Sequence, residues 1–367
     1  MMAGVCQTLG SANVSCVTAV DGPLTQFDGS GSAVRVRQLP LLFAQGRWST
    51  LLALSFIWPR LLAIERPALL QFATCQDAYW GLLLKRLLRL PFLVYAHGNE
   101  VLQAEAFPWS RPGEALRAAT RVIANSRFTA NLLTDRINVD PSRIRIVHPG
   151  CDTRRFSVDV SAEDARRTVG NLGDRGPILL SVGNLVERKG HALVLRALPK
   201  LTQRWPHLVY VIAGEGPFRP SLGRLVGELG IERSVHFVGH VEPAALPSFY
   251  RMCDVFVMPS RFLEERHDVE GFGIVYLEAG ACGKPVVGGR SGGTADAIVE
   301  DETGLLVDPT DPDDLAAALT RLLENPTLAT RLAQNARERV LTEYTWEAFA
   351  RRLRHEIIDA SSVPNDP

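Results

Sequence analysis

DVFVMPSRFLEERHDVEGFGIVYLEAGACGKPVVGGRSGGTADA, residues 254–297, is the stretch whose reading decides the fold. Asp254 to Pro259 is an apolar run with the length and content of a buried parallel strand, and a polar loop follows it. Glu270, Gly271, Phe272 and Gly273 then lead into the helical pattern Ile274-Val275-Tyr276-Leu277-Glu278-Ala279. A second apolar strand, Pro285 to Val287, comes next, and Ser291-Gly292-Gly293 opens another helix. Glycine lets backbone approach a ligand closely, and helix N-termini present unpaired N–H groups. Two such openings close together, each after a strand, suit a diphosphate.

Two carboxylates sharpen this reading. Glu270 stands just before the helix, where an anion-binding turn brings it beside whatever hangs off the phosphates. Glu278 lies about two turns in, where its oxygens can accept hydrogen bonds from a vicinal diol such as ribose. A sugar at one end of the diphosphate and a ribose at the other would meet one carboxylate each. Two glutamates in isolation would read as a dipole complement and a solvated mid-helix side chain. The flanking glycines and buried strands favour the ligand.

The Glu-x7-Glu pattern inside DVEGFGIVYLEAGACGKPVV resembles the signature of the retaining GT-B glycosyltransferases of family 4. The wording DVEG-x-GIVYLEA is most similar to the phosphatidylinositol mannosyltransferase-like members. The resemblance extends over nearly the whole chain. It implies an α/β protein with two Rossmann-like, doubly wound domains facing a cleft.

Length and composition agree with two domains. The 367 residues suffice for two cores, and 46% hydrophobic with 22% charged residues is ordinary for a globular protein. Forty basic and 40 acidic residues argue against a nucleic-acid partner held by net charge. Cys6, Cys16, Cys75, Cys151, Cys253 and Cys282 are scattered, without C-x-x-C or a histidine cluster, which fits a reducing cytosol and no structural zinc. No secretory leader is expected, because the start lacks a charged region followed by an apolar one. The apolar stretch Ser49 to Ile64 contains Pro59 and Arg60 and is too short to span a membrane.

Met2 to Gly10 reads as the last turns of a helix ending at a glycine, and Ala12 to Val20 as a strand. The family opens with a strand and a Gly-Gly loop before such a helix. The expectation is an N-terminal domain lacking its first strand, about 20–30 residues short, against the alternative of a divergent domain that starts with a helix. A turn-rich insert, Asp21 to Ser32, precedes a basic strand, Ala33 to Gln38. Arg47 to Ile64 is a helical pattern, and Ala68 to Ala73 is a strand. Trp80 to Leu90, WGLLLKRLLRL, is an apolar helix carrying Lys85, Arg86 and Arg89. It reads either as the cover of a parallel sheet or as a peripheral contact with an anionic membrane surface.

Phe92 to Ala96 is a buried strand with His97-Gly98-Asn99-Glu100 at its C-terminal end, where ligands bind in open α/β sheets. By resemblance, His97 reaches from the N-terminal domain toward the donor sugar. Val122 to Arg127 reads as strand, then cap, then helix, and Ile144 to Val147 as the last strand of this half. The turn His148-Pro149-Gly150-Cys151-Asp152 closes this half and is structural. Ser157 to Gly176 is a polar, partly helical linker. Strands at Ile178–Val182, Val209–Ala213, Val235–Val238 and Asp254–Met258, each followed by a helical pattern, form a second doubly wound unit. The expected division is 1–165 for the N-terminal acceptor-side domain, 166–345 for the nucleotide-sugar-binding domain, and 346–367 for a helix crossing back to the first.

Three further strand-end loops match the family's ligand face. In Gly183-Asn184-Leu185-Val186-Glu187-Arg188-Lys189-Gly190, Lys189 falls on the diphosphate-binding lysine, while Asn184 stands where an arginine is commoner. An amide can donate a hydrogen bond but brings no charge; Arg188 is the neighbouring candidate. Gly214, Glu215 and Gly216 match the glycine turn beside the nucleotide, and Val238 and Gly239 lie where backbone reads the base. Asp311-Pro312-Asp313, a D-x-D, reads as a helix cap rather than a metal site.

The resemblance implies a retaining, metal-independent glycosyltransferase without a cofactor. Its donor is a nucleotide-diphosphate sugar, GDP-mannose ahead of a UDP-sugar, and its acceptor a lipid-linked molecule or a glycan. Lys189 and the N–H groups of Gly271, Phe272, Gly273 and Ile274 would hold the leaving diphosphate. Glu278 would take the ribose, Glu270 the sugar and His97 the sugar from across the cleft. The expected location is the cytoplasm, at the inner face of the membrane. A nucleotide-sugar epimerase and a non-catalytic nucleotide-binding protein are the alternatives.

Overall fold

A computed structural model describes residues 15–18, 35–38, 58–65, 67–103, 112–170 and 176–362. The helix expected to end at Gly10, the insert 21–32, the first part of the helix from Arg47 and the question of a first strand lie outside these residues.

Twelve strands are described, and every strand pair is parallel. β1 (Ser15–Thr18) pairs with β2 (Arg35–Gln38), Ser15 opposite Arg35. β3 (Leu70–Phe72), β4 (Phe92–Ala96), β5 (Arg121–Ala124) and β6 (Ile144–Ile146) form a sheet in that order. The second sheet holds β7 (Ile178–Val182), β8 (Val209–Ala213), β9 (Val235–Gly239), β10 (Val255–Met258), β11 (Val286–Gly289) and β12 (Leu305–Val307). Its order is β12-β11-β10-β7-β8-β9. Strand order reverses between β10 and β7, and that switch point is where a doubly wound sheet opens a crevice at its C-terminal edge.

The sequence of each strand suits its place. β4, β7, β8, β10, β11 and β12 are buried along their whole length, as strands covered on both faces must be. β9 lies at the edge of its sheet, and only Val235 in it is buried. The helix Ala78–Leu88 buries Ala78, Trp80, Gly81, Leu82 and Leu84 as a sheet cover, and leaves Leu87 and Leu88 exposed at its end. Asp311 accepts hydrogen bonds from the Asp313 and Asp314 amides and so caps the helix Pro312–Glu324. Cys75, Cys151, Cys253 and Cys282 are buried free thiols.

The helix Trp346–Ser362 lies on the first sheet. Phe349 and Leu353 pack there with Leu93, Tyr95, Ile123 and Val147, each such burial contributing about 1.5–3 kcal/mol. Arg121 pairs with Asp359 at 2.6 Å and Arg145 with Glu356 at 3.2 Å, tying the same helix to β5 and β6. The chain passes between the two sheets after β6 and again before Trp346. The passages touch, since the Cys151 N–H donates to the Tyr344 carbonyl at 2.6 Å and Cys151 bridges Thr345. Both crossings therefore form one connection between the halves.

Candidate active site

The loop after β10 and the helix Ile274–Ala281 build the centre of the cleft. Gly273 caps that helix at φ 94° and supplies no side-chain hydrogen bond, so the amides of the first turn lack a side-chain acceptor. An eight-residue helix with open amides and a dipole behind them favours an anion at this end. Glycine is required around it. A Cβ on Gly271 would sit 2.0 Å from the His97 carbonyl oxygen, and one on Gly293 would sit 2.0 Å from the Gly271 carbonyl oxygen. The Gly293 N–H donates to the Glu270 carbonyl at 2.8 Å, fixing that backbone from the side of β11.

Glu270 is the focus of the charges. Its Oε2 accepts from Lys189 Nζ at 2.5 Å and from Arg188 at 2.9 Å, with Ser260 Oγ at 3.4 Å. Arg188 Nε pairs with Asp268 at 2.8 Å. Burial alone would push the Glu270 carboxyl up; Lys189 and Arg188 outweigh it and hold the group below its ordinary value. Lys189 is presented by a short 3-10 turn, Glu187–Lys189, that packs against the end of β10. A Cβ on Gly190 would lie 2.1 Å from the Pro259 carbonyl oxygen, so this turn cannot stand further off.

Glu278 lies deeper on the same helix. Its Oε2 accepts from the Tyr250 hydroxyl at 2.6 Å. Desolvation raises its carboxyl, while the Tyr250 hydrogen bond, Arg155 and Lys189 each oppose the rise. Lys189 thus acts electrostatically on both glutamates. A cation bonded to one carboxylate and felt by the second, beside helix amides without a side-chain acceptor, suits a diphosphate flanked by two hydroxyl-bearing groups.

The remaining loops converge on the same edge. A Cβ on Gly214 would be 2.0 Å from the Gly183 carbonyl oxygen, and one on Gly216 would be 2.5 Å from that of Leu185. The Gly214 N–H donates to the Gly239 carbonyl at 2.7 Å, and Glu215 accepts from the His240 amide at 3.3 Å. Val238 and Gly239 end β9 beside this turn. Asn184 is exposed just after β7, next to Gly183, where a Cβ would lie 4.0 Å from Lys189 Nζ.

His97 approaches from the first domain. Its Nε2 lies 3.1 Å from the Ala73 carbonyl, and burial lowers its pKa. A neutral ring that donates from Nε2 keeps Nδ1 as a lone-pair acceptor. The His97 amide and the Cys75 amide both donate to Glu100, at 3.1 and 3.0 Å. Burial pushes the Glu100 carboxyl up to about 7. The two domains are joined here by Asn99 with Asp268 and Val269, and by Arg127 with the buried Asp296.

His97, Lys189, Arg188, Glu270, Gly271, Phe272, Gly273 and Ile274 therefore share one region, and Glu278 lies behind it. Phe272 turns away from the cleft and stacks on His148, with ring centroids 5.4 Å apart. Sequence reasoning missed Tyr250, Arg155, Asp268 and Asn99. Tyr250 lies in the apolar helical run before β10, where nothing distinguishes it from a core tyrosine. Asn99 does sit in the strand-end loop singled out for His97. Among the described residues, no group of three or more His, Cys, Asp or Glu side chains is placed to hold a metal ion.

Two parallel-sheet domains with this loop set define a glycosyltransferase of the GT-B fold that uses a nucleotide sugar. Two family models match: Glycosyltransferase Family 4 over residues 6–155 and Glycosyl transferases group 1 over residues 163–339. The chain is 37% identical over 265 residues to the GDP-mannose-dependent alpha-(1-6)-phosphatidylinositol monomannoside mannosyltransferase of Mycolicibacterium smegmatis, covering 70% of this chain and 67% of that protein. Sucrose-phosphate synthase from Thermosynechococcus elongatus superposes with a TM-score of 0.77 at 26% identity, covering 98% of this chain and 91% of that one. HepE of Anabaena in complex with UDP gives 0.79 at 19% identity, covering 97% and 96%, a likeness of fold. The chain belongs to the GT-B glycosyltransferases that join these two domains, group 1 and family 4.

Proposed function

We propose that this enzyme transfers mannose from GDP-mannose, with retention and without a metal ion, to an inositol-containing glycolipid or a related glycan. The observation that carries the reading is the Lys189–Glu270–Arg188 cluster beside the open amides of the helix Ile274–Ala281. The preference for GDP-mannose rests on the 37% identical mannosyltransferase.

In this reading the donor's diphosphate takes Lys189 and the amides of Gly271 to Ile274, and negative charge growing on the β-phosphate is stabilised there. Glu270 holds the sugar hydroxyls, Glu278 the ribose, and neutral His97, from the opposite domain, accepts a hydrogen bond from a sugar hydroxyl at Nδ1. Gly214 to Gly216 and the end of β9 flank the base. The acceptor oxygen attacks the anomeric carbon from the face the diphosphate leaves. The C–O bond to phosphate breaks as the new C–O bond forms, and the acceptor's proton passes to the departing phosphate oxygen. Domain closure keeps water from taking the acceptor's place.

In this reading residues 1–165 belong to the acceptor-side domain and 166–345 to the donor domain, and the helix Trp346–Ser362 is the return crossing. Leu87 and Leu88, 62% and 54% exposed beside Arg86 and Arg89, support a peripheral contact with an anionic bilayer at the cytoplasmic face. Among the described residues, no helix is long and apolar enough to cross a membrane.

A thermal-shift panel of GDP-, UDP- and ADP-sugars tests the donor. A ligand at about a hundred times its dissociation constant adds roughly 2.7 kcal/mol of stability. The largest shift is expected from GDP-mannose; a larger shift with another base or sugar would replace it.

A further inference from the structure

The loop that carries Glu270 belongs to the second domain but is anchored in the first. Val269, 2% exposed, is part of the first domain's apolar core. Phe262 meets Phe128 edge to face, with ring centroids 5.9 Å apart. Between these anchors the loop closes on itself, with Leu263 N–H to Asp268 carbonyl at 2.9 Å and Asp268 N–H to Leu263 carbonyl at 3.2 Å. It is a small closed unit docked across the cleft.

Asn99 holds this unit with both ends of its amide. Its Nδ2 donates to Asp268 Oδ1 at 2.8 Å, and its Oδ1 accepts from the Val269 N–H at 2.6 Å. One side chain thereby fixes two consecutive residues immediately before Glu270. Asp268 also receives Arg188, the cation that reaches Glu270. On Asn99's own side, Gly98 adopts φ 100° and a Cβ there would lie 3.1 Å from the Gly271 Cα, so the two backbones are already in contact. The demand on position 99 is chemically narrow. It must offer a donor to a carboxylate and an acceptor to an amide, which an aspartate or an alanine cannot do together.

We infer that Asn99 is a positioning residue for sugar transfer: it locks the Asp268–Val269 segment so that Glu270 of one domain is set against His97 of the other. Asn99 reaches the reaction through Glu270, not through the substrate. This rests on the reading of Glu270 as the carboxylate that faces the donor sugar. Because the clamp forms only when the domains meet, it couples closure to assembly of the site. A nucleoside diphosphate can dock on Lys189 and the helix amides whether or not the clamp is made, whereas transfer requires it.

The test compares wild type with N99A and N99D. Expected for both is a fall in kcat of about 10- to 100-fold, the scale at which small misplacements act, with GDP affinity changed less than about threefold. N99A should also speed hydrogen exchange of the Val269 amide. Unchanged exchange at Val269, an unchanged kcat, or a GDP affinity that falls as far as kcat would overturn the inference. If wild type turns over no mannose donor, the donor assignment fails instead, and exchange at Val269 still decides whether Asn99 holds the loop.

Discussion

Replacing Glu270 by glutamine should tighten product binding while slowing transfer. Lys189 and Arg188 both donate to one oxygen of Glu270, so any diphosphate that enters shares its cations with that carboxylate. Two negative groups on either side of one ammonium stand about 5–6 Å apart, which at an effective dielectric of about 20 is roughly 3 kcal/mol of repulsion. Partial exposure and salt reduce it to about 1–2 kcal/mol, or about 5- to 30-fold in affinity. The neutral amide keeps the shape but removes this repulsion, so GDP should bind about 5- to 30-fold more tightly to Glu270→Gln. Loss of the carboxylate from the sugar should lower kcat by about 100-fold or more, the scale of removing one preorganised group from a transition state. Isothermal titration with GDP and steady-state transfer at two salt concentrations measure both, and the gain in affinity should shrink at the higher salt. Affinity that is unchanged or weaker would show that the diphosphate does not share Lys189 with Glu270.

Three more expectations follow from the same geometry. Glu278→Gln should weaken GDP binding by about 1–2 kcal/mol by calorimetry, since the ribose loses a charged acceptor; equal affinity would remove Glu278 from the ribose. Asn184→Arg should tighten GDP chiefly at low salt, because Asn184 is exposed and its charge would be screened; affinity unaltered at every ionic strength would place position 184 away from the phosphates. Glu100 binds its proton more tightly in the folded protein, about 7 against an ordinary 4.5, so its contribution is intact at acid pH and is lost as pH rises through that window. Chemical denaturation from pH 4.5 to 8 should therefore show Glu100→Gln gaining about 2–3 kcal/mol on wild type, and parallel pH profiles would refute it.

Much of the architecture is readable before any coordinates. The alternation of apolar runs with helical patterns marks β4 and β7 at their observed bounds, because fully buried parallel strands leave an uninterrupted apolar signal. The glycines at 271, 273 and 293 are readable for a similar reason, since no side chain fits there. The pairings inside the site are not. Lys189 and Glu270 are 81 positions apart, and Asn99 and Val269 are 170 apart. The first contact comes from neighbouring strand-end loops of one sheet and the second from domain docking, and no local pattern records either. Tyr250 hides for another reason: its ring is core and only its hydroxyl, bonded to Glu278, belongs to the site. Arg188 is visible as a charge, but its double hold on Asp268 and Glu270 depends on how the loop after β10 folds back.

The most direct test of the account is the anomeric outcome of the reaction. Wild-type enzyme, GDP-mannose labelled at the anomeric carbon and a phosphatidylinositol monomannoside acceptor would be combined in excess EDTA, and the first product read by NMR. Transfer at an undiminished rate with an α-mannoside as the only anomer formed is the result predicted. A β-linked product, or a rate abolished by EDTA and restored by a divalent cation, would contradict it.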